Sequence, residues 1–173
     1  VILVFTFINL LGAFMTGKAE DIMVFVKLII LIVFSAVGFS SIEWTHLAPS
    51  AWMPISSIVT GGLMIFLAYE GFELIANTAK DIKNPQKNLP LAYYSSVIFV
   101  ILLYVVIAIV AVGNVTPAQA ESSQDYILAI AAEPFFGHGG FILIGIAALL
   151  STASAINATI YGAGRTACLI AKF

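Results

Sequence analysis

The chain has 173 residues, 61% of them apolar and only 9% charged, with 7 Lys or Arg against 9 Asp or Glu. A soluble domain runs near 45–50% apolar and about 25% charged, and a chain this short cannot hide about 106 apolar residues in one core, because much of a small domain's surface stays in solvent. Lipid is therefore part of the solvent. Soluble enzymes, disulfide scaffolds and nucleic-acid binders are excluded: Cys168 is a lone cysteine, and a net charge of -2 without a basic run offers a phosphate backbone no footprint.

One bilayer span takes about 20 mainly apolar residues. In chain order the apolar runs predict spans at 1–15, 22–42, 55–79, 91–112 and 139–161, in a single all-α integral membrane domain. Val24 to Phe39 and Val97 to Val112 are apolar all round, as helices are when lipid lies on one side and protein on the other. A membrane barrel would alternate polarity over segments of about ten residues, and no such segment occurs. The first run opens without an initiator Met and the chain stops on Ala171-Lys172-Phe173, which reads as a fragment of a longer protein.

The breaks alternate in charge. Lys18 lies in 16–21, Lys80, Lys83 and Lys87 in 80–90, and Arg165 and Lys172 after the last span, whereas 43–54 and 113–138 hold no base. By the positive-inside rule the base-bearing breaks face the cytoplasm. The 80–90 break contains Asn84-Pro85 and Leu89-Pro90, which limit how far a helix can continue. In the outer stretch 113–140, Ser122-Ser123-Gln124-Asp125 precedes a short helix that Pro134 and Gly137 end, either an outer lid or a surface ornament. Trp44 and Trp52 stand at outer span ends, where interfacial anchoring is the ordinary role. His46 and His138 lie in separate breaks without a matching carboxylate or thiol arrangement, so no metal site and no cofactor is expected.

Three ionisable side chains fall well inside spans: Lys27, Glu70 and Glu73. Each costs up to about 2.5–3.5 kcal/mol on insertion and so requires a reason. In a continuous helix Glu70 and Glu73 share a face, and their repulsion favours a proton on one of them. The alternative is a helix interrupted at Glu70-Gly71, since Gly is a poor helix former and an interruption frees backbone groups for a ligand. Lys27 lies about 10 Å along its helix from the cytoplasmic end. Either its stem carries the ammonium back to the interface, or the ammonium is buried and gains and loses a proton during a cycle. In the last span Ser151 and Ser154 share a face, suited either to close helix packing or to presenting hydroxyl oxygens to a cation.

The stretch from Phe66 to Pro90, F-L-A-Y-E-G-F-E-L-I-A-N-T-A-K-D-I-K-N-P-Q-K-N-L-P, resembles the sixth helix and following loop of amino acid permeases of the amino acid, polyamine and organocation (APC) superfamily. Val26 to Leu31 resembles that family's fifth helix, and Ser154 to Arg165 the end of its eighth. The resemblance implies helices four to eight of about twelve, within an inverted-repeat, LeuT-like transporter whose first and sixth helices are broken at the substrate site. It further implies that Leu67, Ala68 and Glu70 present backbone carbonyls to a substrate ammonium and that Glu73 stabilises the break and takes part in proton coupling. Lys27 would occupy the place of sodium in sodium-driven carriers, with Ser154 and Ser151 beside it. Glu70 departs from the apolar residue expected there, which leaves room for a cationic substrate or an extra proton site.

The expected activity is secondary active, proton-coupled transport of an amino acid by alternating access, without catalysed chemistry. The expected location is the plasma membrane, and the expected partners are substrate, protons, lipid and the missing helices of the same transporter. A sodium-coupled carrier, an exchanger and a non-transporting scaffold or accessory subunit are the alternatives.

Overall fold

The computed structural model describes residues 2–66, 69, 71–72, 74–77, 79 and 82–171. Its helices are α1 (Ile2–Leu10), α2 (Ala13–Gly38), α3 (Ile55–Phe66), α4 (Leu74–Asn77), α5 (Pro85–Asn114), α6 (Pro117–Ser122) and α7 (Ile127–Ile170). Short 3-10 turns follow α2, and another precedes α7. At 1.5 Å per residue, α2 and α5 extend about 39 and about 45 Å, more than the hydrocarbon thickness of about 30 Å. Ala13–Ser41, Pro85–Asn114 and Ile127–Cys168 are each long and apolar enough to cross a membrane, so the architecture is that of an all-helical integral membrane protein.

The centre of the bundle is the contact of α2 with α7. Along α2, Thr16, Glu20, Met23, Lys27, Ile30 and Phe34 recur at alternating steps of four and three and form one buried or half-buried stripe. That is the 3.5-residue repeat by which two helices keep a seam in register. On α7 the answering positions are Ile144, Ala147, Ser151, Ser154 and Asn157. Phe34 packs on Phe135 at one end of the seam, with ring centroids 5.6 Å apart, and Asn157 reaches Thr16 at the other, so the helices are antiparallel. Lipid tails are as apolar as Leu, so helix association here depends on close van der Waals packing rather than on escape from water. Ala147 and Ser154 on α7 are small enough to let the helices approach.

α5 joins at the Phe34 end, where Val110 is fully buried. A Cβ on Gly38 would lie 2.5 Å from Val110 Cγ1 and 2.8 Å from Phe135 Cζ, so only hydrogen fits between these helices. The Asn114 amide donates to the carbonyl oxygens of Gly38 (3.0 Å) and Val110 (2.8 Å), pairing a carbonyl that the end of α2 leaves open. The ends of α2 and α5 meet here, so the described bases outside the spans, Lys18, Lys83, Lys87 and Arg165, gather at the opposite end.

Local structure departs from the sequence reading in four places. Residues 16–21, expected as a break, are helical within α2. Its charges turn from lipid to water without ending the helix, since no residue there prevents the next i→i−4 bond. Asn84-Pro85 starts a helix: Asn84 is left-handed at φ 50°, and Pro85 takes the first helical position, where its missing N–H costs nothing. Pro90 sits within the second turn of α5 without stopping it. In the outer stretch the capping box belongs to Thr116 and Gln119, ahead of α6, and not to Ser122-Ser123. Gly137 does interrupt α7, at φ 58° and ψ −153°, and the segment before it is packed, with Ala131 and Ala132 fully buried.

Candidate functional site

Lys27 and Ser154 meet in the α2/α7 seam. Lys27 Nζ donates to Ser154 Oγ at 3.2 Å. A helical side chain leans toward its own N-terminus, so the lysine stem runs down α2 toward Glu20, two turns earlier. The ammonium meets Ser154 on the way. Ser151 is half-buried one turn along α7 and is not among the partners of Lys27.

Glu20 and Asn9, which the sequence reading did not single out, complete the cluster together with Asn157. Ser154 Oγ–H donates to Glu20 Oε1, and Asn157 Nδ2 donates to Glu20 Oε2 at 2.9 Å. Asn157, fully buried, also donates to the Thr16 carbonyl at 3.4 Å and accepts from Asn9 Nδ2 of α1 at 3.0 Å. Asn9 in turn donates to Phe5 O at 2.8 Å, which ties α1 to the seam. The result is a continuous path from ammonium through hydroxyl to carboxylate, with the second carboxylate oxygen fixed by an amide.

Magnitudes argue against packing as the reason for this cluster. Interhelical hydrogen bonds in membranes are worth about 0.6 kcal/mol each on average. A charged side chain at the centre of a span costs about 2.5–3.5 kcal/mol to insert. A few bonds therefore return no more than a single charge costs, and apolar residues would hold the two helices as well.

Beside Glu20 lies a cavity of about 300 Å³, lined from α2 by Thr16, Gly17 and Glu20, from α7 by Asn157 and Tyr161, and from α4 by Leu74. It sits at the base-bearing end of the bundle. Tyr161 Oη accepts from Arg165 Nε at 3.1 Å and from Nη2 at 2.9 Å, and the guanidinium also lies 5.3 Å from the Tyr161 ring centroid.

The substrate-side expectations fall mostly elsewhere. Leu67, Ala68, Glu70 and Glu73 lie outside the described residues. Among the described residues between α3 and α4, Gly71 has φ 107°. Gly71 is in a region that side-chain-bearing residues rarely enter. Tyr69 and Phe72 rest on α5, with Tyr69 5.4 Å from Tyr104 and Phe72 6.2 Å from Tyr93 between ring centroids. A cavity of about 260 Å³ lies between this turn and α5, lined by Tyr69, Gly71, Phe72, Ser96, Val100 and Tyr104. No residue of α3 is buried.

A family model described as amino acid permease matches residues 1–172. The chain belongs to the amino acid permease family. Among its relatives, an uncharacterized protein of Methanocaldococcus jannaschii, MJ0609, is 41% identical over 97% of this chain and 39% of its own length. The inner membrane transport protein YbaT of Escherichia coli is 35% identical over 93% of this chain and 37% of its own. The methylthioribose transporter of Bacillus subtilis is 24% identical over 93% of this chain and 34% of its own. The chain thus spans less than two fifths of the length of these relatives.

Proposed function

We propose that this permease chain carries the coupling half of a secondary transporter that moves an amino acid by alternating access with protons as the driving ion. The observation that carries the reading is the Lys27 ammonium on Ser154 between two antiparallel helices. A fixed cation there removes the need for a bound sodium ion, and losing a proton discharges the site as sodium release would. Alternating access requires α2 and α7 to change their contact during the cycle. A bond that the ammonium's charge strengthens can bias that change.

We further propose an inverted-repeat, LeuT-like fold in which the third span is discontinuous. The positive φ of Gly71 supports an interruption there. Carbonyls at Leu67, Ala68 and Glu70 would then hold the substrate ammonium, tolerated because the segment lines a cavity rather than lipid. Glu73 would brace the break or exchange a proton, with Ser151 a further polar contact on α7. Helices from the rest of the protein would cover α3 and complete the substrate site, and the plasma membrane is the proposed location. The substrate leaves chemically unchanged.

The test is uptake of a mixture of the twenty radiolabelled L-amino acids by the full-length protein in liposomes, under either an inward proton gradient or a sodium gradient at fixed pH. Accumulation driven by protons alone is expected. Accumulation driven only by sodium would replace the reading with a sodium carrier, counterflow without gradient-driven accumulation with an exchanger, and no movement with a scaffold.

A further inference from the structure

The Lys27 ammonium rests on the Ser154 hydroxyl, which in turn donates to the half-buried Glu20 carboxylate held by Asn157. The proton of Lys27 can therefore move along the seam. The Lys27 N–H bond breaks as Ser154 Oγ takes that proton, and the Ser154 O–H bond breaks as Glu20 Oε1 takes the other. Ammonium and carboxylate become amine and carboxylic acid, so the net charge of the pair is zero before and after.

The hydrogen bonds already run in the required direction, with Lys27 donating to Ser154 and Ser154 donating to Glu20. Glu20, unlike Lys27, also lines the cavity at the base-bearing end. Water there can accept the carboxylic proton and restore the carboxylate. Leu74, the first residue of α4, forms part of the same wall.

We propose that Glu20 is the proton-exit carboxylate of the coupling site, receiving the proton of Lys27 by way of the Ser154 hydroxyl and passing it to water in the cavity beside α4. This rests on the proton-coupled reading above and assigns the next group in the path. The other titratable or charged groups near Glu20 among the described residues are Lys18 and Asp21 on its own helix and Tyr161 with its partner Arg165 on α7. α1 and the described part of α4 contribute none.

The experiment uses the full-length protein in liposomes that contain a pH-sensitive dye, with the same radiolabelled amino acid mixture. Glu20→Gln keeps the size and hydrogen-bonding capacity of the side chain but cannot carry the proton. Its ratio of proton-driven accumulation to counterflow is expected to fall at least about tenfold, and substrate-induced dye response with it. Glu20→Asp, still ionisable, is expected to recover part of the ratio with a shifted pH profile. Ser154→Ala, which removes the bridge and keeps both charges, is expected to lower the ratio as well. If Glu20→Gln is not recovered folded, Ser154→Ala and Glu20→Asp decide, and wild-type pH profiles in both overturn the proposal. Glu20→Gln that accumulates like wild type while Lys27→Ala does not overturns the Glu20 assignment alone. Wild-type protein that fails to accumulate under a proton gradient overturns the reading beneath it.

Discussion

At the scale of single residues, what separates Lys27 from an ordinary membrane lysine is where its ammonium stops. An interfacial lysine would carry the charge to the headgroups, whereas Lys27 ends on a serine that is 4% exposed. Two substitutions distinguish the presence of charge from its release. Lys27→Ala is expected to reduce proton-driven accumulation to the undriven level while the protein still folds, because the cost of inserting an ammonium disappears with it. Lys27→Arg keeps the charge but does not deprotonate in proteins, so it too is expected to lose driven accumulation. Uptake with and without a proton gradient, beside thermal unfolding in detergent, checks both. A proton-driven Lys27→Arg would show that charge alone is sufficient. Lys27 and Ser154 stood out in the sequence because a cation and hydroxyls interrupt apolar runs. Glu20 did not, since Lys18-Ala19-Glu20-Asp21 looks like a solvated turn when counted only as charges. The signal that finds it is phase: steps of four and three from Phe34 back through Ile30, Lys27 and Met23 arrive at Glu20 and Thr16.

At the scale of elements, the apolar helices were legible because composition dictates them, and their ends were less so because caps and prolines act through local geometry. Pro85 shows the difference, since a residue that forbids continuation is also well suited to begin a helix. Helix contacts depend on positions that sequence periodicity does not flag, such as Gly38. Gly38→Ala places a methyl carbon 2.5 Å from Cγ1 of the fully buried, β-branched Val110. We expect a loss of about 1–3 kcal/mol from overpacking, read as lower thermal stability of the full-length protein in detergent. Gly71 presents the opposite case. Among the described residues nothing lies within 4 Å of a Cβ built there, so Gly71→Ala acts chiefly through the backbone at φ 107°. A strain of about 1–3 kcal/mol lowers stability by up to that amount, and its relief by a shift of the proposed substrate turn predicts substrate affinity weaker by about tenfold or more. Measured dissociation constants for wild type and variant decide, and equal affinities would place the substrate away from this turn.

At the scale of the whole molecule, the α2/α7 seam and the distribution of bases make one demand on orientation. The ends of α2 and α5 meet near Gly38, Val110 and Asn114, so the two helices run the same way and α7 returns between them. Lys18, Lys83, Lys87 and Arg165 then share one end, while 43–54 and 113–138, without a base, share the other. Positive charge beside span ends resists translocation, so the positive-inside rule predicts the Glu20 cavity on the cytoplasmic side, where the proposed path would release protons entering with substrate. Had the orientation been reversed, the same path would carry protons outward and oppose uptake. The exposed Cys168, three residues past Arg165, provides the test. In full-length protein freed of other cysteines, a membrane-impermeant maleimide added to sealed right-side-out vesicles is expected to leave Cys168 unlabelled until the membrane is permeabilised. Ser122→Cys, exposed at the end of α6, is expected to react from outside without permeabilisation. The reverse pattern would invert the bundle, and with it the direction in which Lys27 and Glu20 pass a proton.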